Sequence, residues 1–355
     1  MQPAFREQLV AWYAANARDL PWRKRPTPYR VWVSEIMLQQ TRVETVRDYF
    51  TRFMKRFESV KELADAPEES VLEAWSGLGY YRRARMLHGA AKQIVENHRG
   101  RFPKDRASVL GLPGIGRYTA GAVLSIAFDQ PEPIVDGNVE RVFARLQCIK
   151  DDVKSASGNK RIWQSATEHV TLGRKEGLSP SELNQALMEL GATICTPTNP
   201  SCDACPVNGH CKAFELDQVD RYPKLPTRTL SKKRKYLFAA VFDDHGRILM
   251  TRRPAKDRQS LLPGGMWELP HTECEQSKHQ SIRDIAERLG TTLQTAGASR
   301  QRSHAIMNYW LTLVVQKCVA DGAIRPDLDH RWLEPQQAEN AAIASATRKL
   351  LQALS

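Results

Sequence analysis

The chain has 355 residues, with 52 Lys and Arg against 40 Asp and Glu and a formal net charge of +12 at pH 7. No apolar run reaches the roughly 18 residues that a membrane-spanning helix needs, and the N-terminus lacks a secretory signal, so a cytoplasmic protein is expected. At this length two or three domains are expected. The charge excess favours a nucleic-acid partner, although a soluble protein that adheres to any polyanion has the same balance.

The first chemically informative segment surrounds Glu35. Val33, Ile36 and Met37 predict a helix face directed into a core, with Ser34 as a possible cap. Glu35 falls among these apolar residues. One interpretation is a first-turn glutamate favoured by the helix dipole. The other is a desolvated carboxyl of raised pKa that acts as a general acid.

A Leu-Pro-Gly-Ile-Gly-Arg-Tyr stretch at 112–118 predicts a tight hairpin between two helices. Pro113 ends the first helix, while Gly114 and Gly116 permit backbone angles and close approaches that a side chain would block. The helix start at Gly116 leaves backbone N–H groups free for a phosphate oxygen. Tyr118 opens a small, apolar segment that predicts a buried helix.

Asp136 follows a proline-containing loop and precedes an amphipathic run at 139–149, a position from which it can reach a cleft. A hairpin followed at this distance by an aspartate resembles the helix-hairpin-helix and catalytic aspartate of the DNA base-excision glycosylases.

Four of the seven cysteines, Cys195, Cys202, Cys205 and Cys211, cluster within 17 residues. In an intracellular protein this cluster indicates metal binding and not disulfides, and both zinc and an iron–sulfur cluster accept four cysteines. The 6-2-5 spacing resembles the [4Fe–4S] loop of the endonuclease III/MutY superfamily. The resemblance implies a cluster that holds together a loop whose Lys and Arg side chains contact phosphates.

The composition changes at residue 221. Residues 221–235 contain seven basic and no acidic residues and predict a linker along the DNA backbone. Strands are predicted at 236–242, 247–252 and 305–316, and helices at 281–289 and 340–354. Motifs at 264–270 and 283–290 resemble a decayed Nudix box, in which Asp284 and Arg288 stand where glutamates hold Mg²⁺. This departure compromises hard-cation binding, so the domain is interpreted as a binder.

From Leu20 to Cys211 the chain closely resembles the MutY-type adenine DNA glycosylases. The resemblance implies that Glu35 protonates the leaving adenine and that Asp136 stays ionised to stabilise the oxocarbenium ion, either electrostatically or through a transient covalent adduct. Tyr118 and Asn138 are expected to orient these groups by hydrogen bonding. Bifunctional relatives carry a lysine where this chain has Tyr118, and a phenol forms no Schiff base, so a monofunctional enzyme is expected.

An enzyme that acts on a base inside a duplex must flip it out of the stack. Gln40 and Tyr80 match the family positions that wedge into the duplex, although a core aromatic is the alternative for Tyr80. Trp22, Arg23 and Gln185 match positions around the family's adenine pocket. The amide of Gln185 both donates and accepts, which suits an adenine edge.

In the family the C-terminal domain inspects 8-oxoguanine opposite the adenine. Ser303 and His304 match the family's Phe-Ser-His loop, but Arg302 stands in place of the Phe. A serine hydroxyl can accept from the N7–H of 8-oxoguanine and donate to its O8. The alternative for Ser303 is a polar turn before a strand.

These observations predict an all-α helix-hairpin-helix glycosylase domain with a [4Fe–4S] loop over 1–220, joined by the basic linker to an α+β Nudix-like domain over 236–355. Within the first, residues 22–133 form a six-helix module, and 1–21 with 134–220 form the iron–sulfur module. The predicted partner is double-stranded DNA with an adenine:8-oxoguanine or adenine:guanine mispair, bound by a monomer. The alternatives are a bifunctional oxidised-pyrimidine glycosylase/AP lyase of the endonuclease III type and a non-catalytic damage-binding protein.

Overall fold

The computed structural model describes residues 2–226, 231–254, 261–262, 264–274, 277–322, 324 and 329–354. Contacts divide the chain into two compact units. The first consists of Met1–Asp65 and Met86–Thr227, and the second of Ala66–Arg85 and Arg228–Ser355. Residues 66–85 thus pack within the second unit, although the sequence predicts them to be part of the six-helix module.

The first unit is helical. In chain order the α-helices up to residue 226 are α1 (Pro3–Asn16), α2 (Pro28–Leu38), α3 (Val43–Arg56), α4 (Val60–Asp65), α5 (Glu68–Trp75), α6 (Arg82–His98), α7 (Arg106–Leu110), α8 (Arg117–Ala122), α9 (Gly137–Gln147), α10 (Ala156–Lys175), α11 (Pro180–Thr193) and α12 (Lys212–Glu215). Of these, α5 and the first residues of α6 belong to the second unit. A π-helical turn, Val123–Ala127, continues α8.

The core of the first unit lies around α9. Val139, Val142 and Phe143 recur at helical spacing and are almost completely buried. They pack in one cluster with side chains of α1 and α11, among them Phe5 and Leu190. This packing holds the N-terminus of α9 against α11, which positions Asp136.

The second unit contains a mixed sheet. Its elements are β1 (Lys232–Phe242), β2 (Ile248–Arg252), β3 (Trp267–Glu268), β4 (His271–Glu273), α13 (Lys278–Arg288), β5 (Thr292–Ile306), β6 (Tyr309–Asp321), β7 (His330–Leu333), α14 (Pro335–Asn340) and α15 (Ser345–Leu354). The strand order is β3-β2-β1-β6-β5, with β4 on β1 and β7 on β2. β1 and β6 are parallel, and the other pairs are antiparallel.

Each face of this sheet has its own core. Tyr236 and Leu313 pack on one face with Leu350 of α15. Leu237 and Val314 pack on the other face with residues of α13. The predicted division into an all-α part and an α+β part is confirmed. In the portion of the chain with described structure, no helix is both long and apolar enough to cross a membrane.

Several local predictions are wrong. The strand expected at 305–316 is the turn and second arm of a hairpin, because β5 runs to Ile306 and β6 begins at Tyr309. Basic residues 232–235 of the predicted linker already form the start of β1, where pairing with β6 satisfies their backbone groups. Residues 227–230 of that linker lie outside the described residues. Of the helix predicted at 340–354, residues 345–354 form α15, while Asn340 is the last residue of α14. Before the 112–118 stretch the helix ends at Leu110, not at Pro113.

Candidate active site

Glu35 lies in the second half of α2, not in its first turn. The N-cap of this helix is Thr27, whose hydroxyl accepts from the backbone N–H of Arg30. The Ser34 hydroxyl donates to the Val31 carbonyl oxygen at 2.8 Å. The prediction of Ser34 as a cap is therefore wrong, and the helix dipole disfavours a carboxylate at this end of the helix.

The Glu35 carboxyl is enclosed, and only 3% of the residue is exposed. The Tyr118 hydroxyl donates a hydrogen bond to Glu35 Oε2. Burial raises the pKa of Glu35 to about 7, although the hydrogen bond from Tyr118 favours the ionised form. The charge of Asp136 raises this pKa further, and that of Arg23 lowers it. A carboxyl with a pKa near neutrality suits general acid catalysis.

Asp136 is the N-cap of α9 and accepts three hydrogen bonds. Its Oδ1 accepts from the backbone N–H groups of Asn138 and Val139 at 3.0 and 2.8 Å. Its Oδ2 accepts from the Asn138 side-chain amide at 2.9 Å. Burial raises the pKa of Asp136, and these three bonds oppose that rise. Three donors around one carboxyl group favour its ionised form. Burial nevertheless makes ionisation of Asp136 harder than the sequence alone predicts.

Two glycines allow the elements around the site to approach closely. A Cβ at Gly121 of α8 would lie 2.2 Å from the Pro133 carbonyl oxygen, in the loop before Asp136. A Cβ at Gly191 of α11 would lie 2.6 Å from Asn138 Cβ. Sequence reasoning missed both, because a glycine inside a helix signals a close contact without naming the partner.

The hairpin between α7 and α8 uses its two glycines differently. Gly114 has φ +78°, and a Cβ there would lie 2.8 Å from Met86 Cβ. Gly116 has extended backbone angles, φ −98° and ψ −178°. No atom lies within 4 Å of a Cβ built at Gly116. Gly114 thus meets a steric demand within the fold, whereas Gly116 faces open space at the start of α8.

Alanine substitutions separate these two roles. Gly114→Ala should destabilise the protein by roughly 2 kcal/mol, because it combines a left-handed backbone with a clash. Gly116→Ala should change the thermal midpoint little but weaken DNA binding about ten-fold, because the added methyl group occupies the space where a phosphate would meet the helix N-terminus. Melting curves and DNA titrations of both variants check this. Equal destabilisation by both substitutions would contradict it.

Arg23 is held by a buried carboxylate that sequence reasoning missed. Glu189 is completely buried in α11. It accepts from Arg23 Nη2 at 2.8 Å and from Arg18 Nε at 2.7 Å. Burial opposes its ionisation, but hydrogen bonds from Arg18 and Arg23 lower the pKa of Glu189 to about 2. Glu189 therefore fixes the cation that interacts electrostatically with Glu35.

Glu189→Gln should destabilise the protein by about 3 kcal/mol, because it leaves two guanidinium groups without their buried counter-charge. Glu168→Gln is the matched control, since Glu168 is exposed on α10 and accepts one hydrogen bond from Gln164. The control should change stability by less than about 0.5 kcal/mol. Thermal unfolding of both variants measures the difference, and a Glu189→Gln protein as stable as the control would rule out the network.

The other predicted pocket residues are engaged within the first unit. Trp22 is 7% exposed and packs edge-on against Phe50, with ring centroids 5.6 Å apart. Gln185 Oε1 accepts from the Tyr13 hydroxyl at 3.1 Å. Its Nε2 donates to Ser181 Oγ at 3.1 Å. The amide oxygen keeps a second lone pair and the amide nitrogen a second N–H, which remain for hydrogen bonds to a base.

Gln40 and Tyr80, the predicted wedge residues, lie in different units, and each has a strained backbone. Gln40 in the first unit has φ +57°, and Tyr80 in the second has φ +49°. Such angles are uncommon for residues other than glycine, and they cluster at functional sites. Tyr80 is 46% exposed, so the alternative of a core aromatic is wrong. The Arg83 guanidinium lies over its ring at 5.3 Å.

The four clustered cysteines follow α11 in a loop with two short 3₁₀ turns, Cys202–Ala204 and Asn208–His210. All four are partly buried. Arg145 of α9 is 2% exposed and donates from Nη1 to Cys195 Sγ at 3.3 Å. The same group donates to the Thr196 carbonyl oxygen at 2.8 Å. The loop is thus tied to the helix that Asp136 caps, a link that the sequence does not show.

The donor set fits an iron–sulfur cluster. Burial raises the pKa of the Cys205 thiol to about 11, and the neighbouring thiolates raise it further. Four half-buried sulfurs that repel one another as thiolates need a cationic centre to stay deprotonated. Among the described residues, no three His, Cys, Asp or Glu side chains are arranged to hold one metal ion. A four-iron cluster has a different requirement, because each thiolate binds a separate iron.

Ser303 and His304 lie inside β5, not in a turn, so the alternative of a polar turn is wrong. Ser303 pairs with Thr312, and His304 pairs with Leu311. Because successive side chains alternate between the faces of a strand, the two residues point to opposite faces of the sheet. Burial lowers the pKa of His304, and Lys349 lowers it further.

Comparisons with known proteins agree with this architecture. A profile of HhH-GPD superfamily base excision DNA repair proteins matches residues 33–167, one of the iron–sulfur binding domain of endonuclease III matches 195–211, and a NUDIX domain profile matches 237–353. The adenine DNA glycosylase of Rattus norvegicus is 34% identical over 98% of this chain and 77% of its own length. The chain belongs to the adenine DNA glycosylase family. The Homo sapiens relative is 33% identical over 98% of this chain and 73% of its own length.

A solved structure extends the likeness. A thermostable thymine-DNA glycosylase is 27% identical, covers 60% of this chain and 95% of its own length, and superposes with a TM-score of 0.52. As a member of its family, the protein is a DNA glycosylase of base excision repair that binds DNA. Its cofactor is a [4Fe–4S] cluster, and the iron–sulfur profile spans the segment 195–211 that contains the four clustered cysteines.

Proposed function

We propose that the protein hydrolyses the N-glycosidic bond of adenine mispaired with 8-oxoguanine, and of adenine opposite guanine. The observation that supports this most is the pairing of Glu35 and Asp136 in different environments. Glu35 has a pKa of about 7 and a single phenol partner. Asp136 caps a helix with three donors. Two carboxyl groups with separate environments suit separate roles in one reaction.

In this mechanism Glu35 donates its proton to N7 of the extruded adenine as the C1′–N9 bond breaks. The bonding electrons leave with the base, and positive charge develops on the sugar. Asp136 stabilises this oxocarbenium ion by its negative charge, with Asn138 holding its orientation. A water molecule then adds at C1′ and gives up a proton to the Glu35 carboxylate, which restores the acid. The sequence of steps consumes one water and releases free adenine.

Tyr118 supports a monofunctional reaction. Burial raises the pKa of this phenol well above its usual value, and the phenol donates to Glu35. It therefore keeps its proton and orients the acid. A β-lyase reaction through a Schiff base needs an amine at the sugar. Borohydride should accordingly trap little protein–DNA adduct, and trapping at the level of a lysine enzyme would favour the bifunctional alternative.

In this proposal residues 1–220 carry out the reaction, the [4Fe–4S] loop stabilises the DNA-binding surface, and residues 236–355 inspect the opposite base through Ser303. The protein acts as a monomer on chromosomal DNA in the cytoplasm. The excess of 52 basic over 40 acidic residues supports an interaction dominated by phosphates. Such binding should weaken steeply with salt, because each neutralised phosphate releases counterions.

The test is a single-turnover measurement of adenine release from duplexes that differ only in the base opposite adenine. Release should be fastest opposite 8-oxoguanine, slower opposite guanine, and negligible opposite thymine. Absence of adenine release from all three duplexes, with DNA binding retained, would establish the non-catalytic alternative. Equal rates opposite 8-oxoguanine and guanine would remove the 8-oxoguanine specificity from the proposal.

A further inference from the structure

The β5–β6 hairpin exposes large apolar side chains at its tip. Trp310 is 50% exposed, and Met307 in the turn is 71% exposed. By contrast, Trp267 in the same unit is 2% exposed. Large apolar side chains that are exposed together at one hairpin tip are typical of an interaction surface.

Strand register places this indole beside Ser303. Ser303 pairs with Thr312, and Ala305 pairs with Trp310. Side chains of directly paired residues lie on the same face of a sheet, and so do those two residues further along a strand. Ser303 and Trp310 therefore occupy neighbouring rows on one face of the sheet.

Two lysines of β1, the other neighbour of β6, lie on the same face of the sheet. In the parallel pairing of β1 with β6, Lys233 lies beside Trp310 and Lys235 beside Thr312. Both lysines are exposed. On the same face but further from the tip, Leu237 and Val314 are covered by α13. The exposed end of this face thus combines an indole, a hydroxyl and two ammonium groups.

Arg302 lies on the opposite face. It pairs with Leu313, whose cluster includes Leu350 of α15. Arg302 occupies the position at which the resembled family carries a Phe. Because successive side chains of a strand alternate between faces, its guanidinium does not share a face with the Ser303 hydroxyl. The aromatic surface available to a base at Ser303 is that of Trp310.

We propose that Trp310 stacks on the nucleobase read by Ser303 and holds it in place for that reading, while Lys233 and Lys235 contact the flanking phosphates. The occupant is the DNA strand that carries the oxidised purine, because the positive charge beside the indole complements a phosphate backbone. Stacking of a base on an aromatic side chain is sequence-tolerant, so Trp310 holds the base in place and the Ser303 hydroxyl distinguishes it. This inference depends on the proposed 8-oxoguanine specificity.

The test compares Trp310→Ala, Trp310→Phe and the control Val319→Ala. Val319 lies at the far end of β6 and is 53% exposed. Affinities are measured for duplexes that hold a non-hydrolysable 2′-fluoro analogue of deoxyadenosine opposite 8-oxoguanine or guanine. Trp310→Ala should weaken the 8-oxoguanine complex about ten-fold and reduce its advantage over guanine. Trp310→Phe should retain most of the affinity, and Val319→Ala should match the wild type.

Each outcome has one meaning. Wild-type protein without a preference for 8-oxoguanine contradicts the proposed function itself. A wild-type preference that Trp310→Ala leaves unchanged, or equal losses on both duplexes, overturns the role of Trp310 alone. Thermal midpoints show whether Trp310→Ala has a folding defect. If it has one, the 8-oxoguanine preference of Trp310→Phe replaces that of Trp310→Ala as the test of the stacking role. If Trp310→Phe then loses the 8-oxoguanine preference, the indole is structural and not a stacking surface.

Discussion

Glu35→Gln should reduce single-turnover adenine release by at least about 10³-fold, because general acid catalysis contributes effects of this order. A glutamine matches the shape of the protonated acid, but its amide has no acidic proton that it can transfer to N7. DNA affinity should change little, since the side chain is enclosed and 3% exposed. Retention of more than a tenth of the wild-type rate would remove Glu35 from the reaction.

The pH dependence provides a second check on Glu35. With a pKa of about 7, the free enzyme should lose kcat/KM as the pH rises through neutrality and the acid ionises. Tyr118→Phe removes a hydrogen bond that lowers this pKa, so the descending limb should move to higher pH. A limb that stays in place in Tyr118→Phe would mean that another group controls it.

Glu35→Gln should stabilise the protein at high pH. The folded pKa of Glu35, about 7, lies above the ordinary value of 4.5 for a glutamate. The folded state therefore binds more protons than the unfolded state between these two pH values, and stability falls as the pH rises through this interval. Above pH 7 the ionised Glu35 lowers the free energy of unfolding by about 3 kcal/mol. Glu35→Gln should thus melt at a higher temperature than the wild type at pH 8 and at a similar temperature near pH 4.5.

Asp136→Asn should reduce adenine release by about 10³-fold while the fold is preserved, because asparagine caps a helix nearly as well as aspartate but carries no charge. Asp136→Ala removes the cap as well, so it should also lower stability by about 1 kcal/mol. Single-turnover rates and thermal midpoints of the pair separate charge from capping.

Ser155→Ala is the control for the capping effect. Ser155 is the N-cap of α10, and its Oγ accepts from the backbone N–H of Gly158 at 3.1 Å. The control should lose similar stability and keep the wild-type rate. If Asp136→Asn remains active, or if Ser155→Ala loses activity to the same degree, the charge of Asp136 does not stabilise the transition state.

The sequence by itself determined the features that depend on local spacing. The cysteine quartet and the helix at α9 could be read from neighbouring residues. Strand-like runs at 236–242 and 247–252 predicted β1 and β2, and the change in composition marked the second part of the chain. Each of these signals is carried by residues within about one element of one another, so periodicity and ligand spacing are sufficient.

Only the tertiary structure decided which residues meet. The bond from Tyr118 to Glu35 joins residues 83 positions apart, and burial of that carboxyl comes from elements packed around it. The sequence around Glu189 is that of an ordinary helix. Packing brings Arg18 and Arg23 within hydrogen-bonding distance of its carboxylate. Trp310 and Ser303 share a face because of the register between β5 and β6, which the order of residues within each strand does not determine. The raised pKa and the common face arise from long-range packing, which local sequence patterns do not encode.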